Sequence, residues 1–181
     1  MKEIAEVKVT RLEDCALARQ AEGLIAPPLA IRRGEEVFLS GFLNRLPDSN
    51  GQWDGKRGYS QWIPNPEYVP LQSNPDRKSW ESILEEYKID GIPFHNEEPD
   101  FREVSKGEVT ITPFEDRQKN FSRADKELAR QRRCTPEEVR EWRHEHGYTW
   151  HECSDMKTMQ KVPSVIHNNV PHSGGQSRRH S

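Results

Sequence analysis

Three cysteines in 181 residues are too few and too scattered for a disulfide framework or a thiolate zinc finger. Cys15, Cys134 and Cys153 form an odd set, and no CxxC pair occurs. Long apolar runs are missing as well. None approaches the roughly 20 residues that span a bilayer, which excludes a membrane-spanning helix. The amino-terminal stretch MKEIAEVKVTRLEDC has no apolar signal core. Export is therefore expected without a signal peptide of its own, or as the end of a longer polypeptide. Hydrophobic residues make up only 32% of the chain and charged residues 31%, which allows one modest core and not two large ones. No internal repeat is found. Five tryptophans and clear helix-capping signals still set the chain apart from a disordered one.

What is there is distributed unevenly. The formal net charge is -3, yet residues 1–100 carry 12 Lys+Arg against 18 Asp+Glu, and residues 101–181 carry 15 against 12. Six of the seven histidines also lie in the second part. A phosphate polymer is steered toward that half, although uneven surface charge is the plainer reading of the same numbers. The division suggests a supporting region over 1–100, built of short strands and loops with one helix, and a functional module over 101–181.

Local signals fill in the outline. Residues 1–75 are rich in Pro and Gly, with short β-type runs such as Glu36–Leu39 and turns at Asn50-Gly51, Asp54-Gly55 and Asn65-Pro66. Trp80, Ile83, Leu84 and Tyr87 at helical spacing predict an amphipathic helix over 77–88. Residues 108–112 (EVTIT) alternate like a short strand. Two helices are predicted next. Ser122 is read as the cap of the first; Thr135-Pro136-Glu137-Glu138 is a fuller start signal for the second, which Gly147 stops. Tyr148–Trp150, a turn at Ser154-Asp155 and Thr158–Val162 read as a β-hairpin. A short helix from Pro163-Ser164 to about Val170 follows, ended by Pro171.

This last segment carries the chemistry. His167 and His172 are five residues apart with Pro171 between them. On one continuous helix they would diverge, so His167 is expected to project from the helix and His172 to turn back from the loop, helped by Gly174-Gly175. The two imidazoles can then meet at one cation. His151 and Glu152, at the end of the first hairpin strand, face them from the other side. Imidazole and carboxylate ligands with open positions suit a catalytic divalent ion.

Trp150-His151-Glu152, Thr158–Pro163, Ile166-His167 and His172–Gly175 together resemble the HNH/endonuclease VII superfamily. Within it, they resemble the bacterial toxin nucleases with a Trp-His-His or Trp-His-Glu motif. The resemblance covers roughly residues 115–175. It implies an α+β chain with a carboxy-terminal ββα-metal module, preceded by helices and an irregular strand- and loop-rich region. The implied activity is a metal-dependent endonuclease on DNA, an antibacterial effector secreted to act in the target-cell cytoplasm and held by a cognate immunity protein in the producer. Carried over, His151 is the general base, and His167 and His172 hold one divalent ion (Mg, Zn, Ni or Mn). Glu152, standing where relatives have a second histidine, is a further ligand or an orienter of His151. Asp155 and Gln160 would support these groups. Arg143 would reach the scissile phosphate, and Arg130, Arg132, Arg133 and Lys161 would contact the nucleic-acid backbone. No membrane and no small-molecule cofactor enter this reading. An RNase or tRNase, or a binding module with a degenerate site, are the alternatives.

Overall fold

The computed structural model describes residues 45–173, all of them in the second of two compact units, residues 44–181. The expected strand at Glu36–Leu39, Cys15 and Gly174-Gly175 lie outside the described residues. The class is α+β. A four-stranded antiparallel sheet runs in the order β1 (Gly51–Trp53), β2 (Gln61–Pro64), β3 (Ile92–His95), β4 (Glu98–Pro99), with α1 (Trp80–Tyr87) between β2 and β3. A 3-10 turn over Arg102–Val104 leads to β5 (Glu108–Thr110), then α2 (Arg117–Arg132), α3 (Pro136–Glu145), β6 (Tyr148–Glu152), β7 (Thr158–Pro163) and α4 (Ser164–His167). The last three strands form an antiparallel sheet in the order β5-β7-β6. Among the described residues, no helix is long and apolar enough to cross a membrane.

Capping sets the helix limits. Ser79 caps α1, and its side chain accepts from the Ser82 amide. Thr135 and Glu138 form the reciprocal capping box expected at α3. Gly147 follows that helix with φ of 67°, a left-handed conformation that costs glycine little. The start of α2 is a correction. Asp116, not Ser122, is its cap, with the side chain accepting from the Lys119 amide at 3.0 Å. A carboxylate at a helix start satisfies free N–H groups and favours the dipole, so the helix begins before Ser122 and carries Arg117 as its first residue.

Strand alternation then divides the interior. On β6, Trp150 and Glu152 project toward α2 and α3, while His151 projects to the opposite face. Trp150 packs with Ala124, Leu128, Val139 and Met159 in one core cluster. The other cluster joins Trp62, Trp80, Ile92, Phe94 and Phe101 to Val162, Ile166 and Val170, so the first sheet and the final hairpin share one interior.

A buried ion pair fastens the two helices to β6. Arg143 on α3 donates through Nε and Nη2 to both carboxylate oxygens of Asp125 on α2, at 2.8 and 2.7 Å. Trp150 Nε1 on β6 donates to the same carboxylate at 2.8 Å. Removing the acid would leave a buried guanidinium and an indole N–H without their acceptor. Asp125→Ala is therefore expected to cost about 3–5 kcal/mol of stability, read as a lower urea midpoint with an unchanged m-value. A loss of under about 1 kcal/mol would mean the pair is solvated enough to be worth little.

Candidate metal centre

Three histidines from three different positions converge. His151 sits on β6, opposite Gln160 of β7. His167 is the last residue of α4, whose Ile166 is fully buried and anchors the turn. His172 follows buried Val170 and exposed Pro171 in the loop beyond. Ring centroids are 5.3 Å apart for His151 and His167, 5.0 Å for His151 and His172, and 4.8 Å for His167 and His172. One ligand atom from each ring lies within 4.8 Å of the others.

Phe101 is the floor of this cluster. Its ring is fully buried and lies 4.9, 5.9 and 5.5 Å from His151, His167 and His172. An apolar floor lowers the local dielectric and disfavours imidazolium. Burial accordingly pushes His167 down to about 4, with the His172 charge adding to the effect. Burial also holds His151 well below its ordinary value and lowers His172. All three are neutral at physiological pH, with lone pairs free for a cation.

The rings are also oriented. His167 Nδ1 lies 3.0 Å from Asn168 Oδ1, and His172 Nδ1 lies 2.7 Å from the Val170 carbonyl. An acceptor at Nδ1 fixes the proton there and leaves Nε2 as donor to a metal. Asn168 in turn donates to Ser73 Oγ, and Asn169 exchanges hydrogen bonds with the Gln72 backbone. His151 Nδ1 is buried without a hydrogen-bond partner. A neutral nitrogen in that state is costly unless something accepts its lone pair, and a cation in the cluster is one such acceptor. The donor set fits a divalent ion such as zinc, nickel, manganese or magnesium, the borderline ions better than the hard ones.

The cluster opens into a cavity of about 560 Å³. Arg117, Glu152, Asn168, Asn169 and Gln72 line it together with the three histidines. Glu152 is the only carboxylate among these lining residues, but it is not part of the imidazole cluster. Its Oε1 accepts from Asn120 Nδ2 on α2 at 2.7 Å, because neighbouring strand residues face opposite ways.

Several expected roles meet a different geometry. Arg143 is buried against Asp125 and does not reach the cavity. Lys161 is 1% exposed, with Nζ stacked 3.7 Å from the Trp142 ring centroid, and burial lowers it to about 7. Such a lysine offers no surface charge to a nucleic acid. Arg130 pairs with Glu127 on its own helix, Arg132 donates to the Lys106 carbonyl, and Arg133 closes α2 in a left-handed conformation. None of the three lines the cavity. Gln160 donates to Glu108, and Asp155 holds the hairpin turn by accepting from the Lys157 and Thr158 amides. Sequence reading missed Arg117 and Asn168. Asn168 directly follows His167, and its only signal is that a ligating imidazole needs an acceptor for its other nitrogen; Arg117 becomes visible once Asp116 is recognised as the cap.

Residues 85–174 match the family model of the DNase/tRNase domain of colicin-like bacteriocin. The match supports a nuclease toxin domain here, and it contains all three histidines, Phe101, Arg117 and Glu152. Searches of the curated proteins and of the solved structures gave no match.

The lowered imidazole values set the pH behaviour of metal binding. Ordinary histidines near 6.5 begin to compete with the ion just below neutrality. With all three values lowered, Zn²⁺ affinity is expected to stay level from neutral pH down to about 6 and to fall only below that. Calorimetry in buffers of different ionisation enthalpy should find under about one proton released per ion at neutral pH. Release of two or more protons would show that the rings are charged in the apo protein.

Proposed function

We propose that the chain is a metal-dependent endonuclease cleaving DNA, acting as the effector domain of an antibacterial toxin. The observation that carries this is the three-imidazole cluster in an open cavity, inside the segment that matches a nuclease toxin family. The β6–β7–α4 succession has the order of a ββα-metal module, which we assign to residues 101–181, with the residues ahead of it in support.

His151, His167 and His172 would hold the ion, and a bound divalent ion would polarise the phosphate and stabilise the leaving oxygen. This changes the role first expected of His151. Its ring stands in the triangle on equal terms with the other two, so the proton is assigned elsewhere. Glu152, held by Asn120 at the cavity wall, takes a proton from the attacking water. The water oxygen bonds to phosphorus, the bond from phosphorus to the leaving sugar oxygen breaks, and that oxygen takes a proton from solvent. Asn168 keeps the His167 ring in place, and Phe101 excludes water from beneath the cluster.

DNA is favoured over RNA on chemical grounds. RNA carries its own nucleophile in the 2′-hydroxyl, so acid and base groups suffice to cleave it. DNA needs an external water brought to an unactivated phosphate, which a built cation site serves. A secreted toxin that works in the target-cell cytoplasm needs a cognate immunity protein in its producer. The excess of Lys+Arg over Asp+Glu in residues 101–181 favours an acidic one.

Supercoiled plasmid should be nicked in the presence of Zn²⁺, Ni²⁺, Mn²⁺ or Mg²⁺ and left intact in excess chelator. Glu152→Gln is expected to retain the ion while turnover falls on the order of 10²- to 10⁴-fold. His151→Ala is expected to lose ion affinity by calorimetry. Undiminished cleavage in chelator would sink the metal mechanism. Full ion affinity in His151→Ala would return that residue to the role of base.

A further inference from the structure

We infer that Arg117 is the substrate-phosphate anchor of this centre, a role that rests on the nuclease reading above. Arg117 is exposed, opens α2 and lines the same cavity as the three histidines and Glu152. Among the described residues, Arg45 is the other arginine of that lining. Position favours Arg117: it stands at the start of α2, three residues ahead of the Asn120 that holds Glu152.

The arginines around it are committed elsewhere. Arg123 pairs with Glu115, Arg130 with Glu127 and Arg143 with Asp125. Arg117 makes no ion pair among the described residues; its guanidinium lies 5.2 Å from the Phe121 ring centroid. An arginine on an aromatic face keeps its N–H fork free for a planar or tetrahedral anion. A phosphodiester in the cavity would receive the fork on its non-bridging oxygens, while its third side faces the histidines. The same contact would grow stronger as negative charge builds on those oxygens during attack.

The test uses the full chain and three proteins: wild type, Arg117→Ala and Arg117→Lys. Cleavage of a labelled DNA duplex is measured with Zn²⁺ or Mg²⁺, binding of the same duplex to the chelated protein over a salt series, and Zn²⁺ affinity by calorimetry. Arg117→Ala is expected to lower kcat on the order of 10²-fold. Its salt-dependence slope should fall by about 1, with Zn²⁺ affinity unchanged. Arg117→Lys should recover the slope but only part of kcat, because an ammonium has no fork. An Arg117→Ala variant with wild-type kcat and slope overturns the inference. So does one that loses Zn²⁺ affinity in step with kcat, since Arg117 would then be structural. If wild type binds the duplex but never cleaves it, the nuclease reading fails, and the slope still decides whether Arg117 holds phosphate. Absence of any duplex binding overturns both.

Discussion

One carboxylate decides how the two helices meet the final hairpin. Asp125 receives the Arg143 fork and the Trp150 indole N–H in a region closed to solvent. Three elements distant in sequence are thereby tied at a single point. The tie fixes which way β6 faces, because a strand that slipped by one residue would exchange its two sides. With Trp150 drawn toward the helices, His151 must turn to Phe101 and the other imidazoles. Glu152 must turn back to Asn120. The separation of the clustered imidazole from the neighbouring acid is therefore a consequence of strand alternation under this one constraint.

The imidazole cluster shows the complementary principle. Its floor is a phenylalanine and its walls come from α4 and the loop beyond. Burial that would be a liability for charged groups is here an advantage: it keeps the imidazoles unprotonated and sharpens any electrostatic contact made with them. The orienting acceptors are supplied locally, by Asn168 and the Val170 carbonyl, so that ring direction does not depend on the ion being present.

Much of this was legible in the sequence, and the failures have physical causes. The hairpin over 148–163, the capping box at Thr135 and the helix at Trp80–Tyr87 follow from alternation, capping chemistry and spacing, all of which are local. The convergence of His167 and His172 was expected from Pro171 ending a helix that ran to about Val170; the helix ends earlier, at His167, and His172 returns from the loop beyond. The start of α2 was not legible, because Ser122 and Asp116 are both good caps and only the tertiary setting selects the earlier one. Arg143 and Lys161 misled for a related reason. A cation's type does not reveal whether it meets a phosphate, a buried carboxylate such as Asp125, or the face of Trp142. That choice is made by packing between elements far apart in the chain. The α+β class needed none of these details.

The hydrogen bonds that join Asn169 to the Gln72 backbone and run from Asn168 to Ser73 have a consequence for what counts as the working unit. Residues 85–174 carry every histidine of the cluster, but the asparagine that aims His167 is itself held from outside that span. Trp62 and Trp80, which line the cavity, also lie ahead of it. A polypeptide trimmed to the matched segment would keep all its candidate ligands and lose the clamp on their second layer. Chemical competence and mechanical support have different boundaries along this chain, and the support begins earlier.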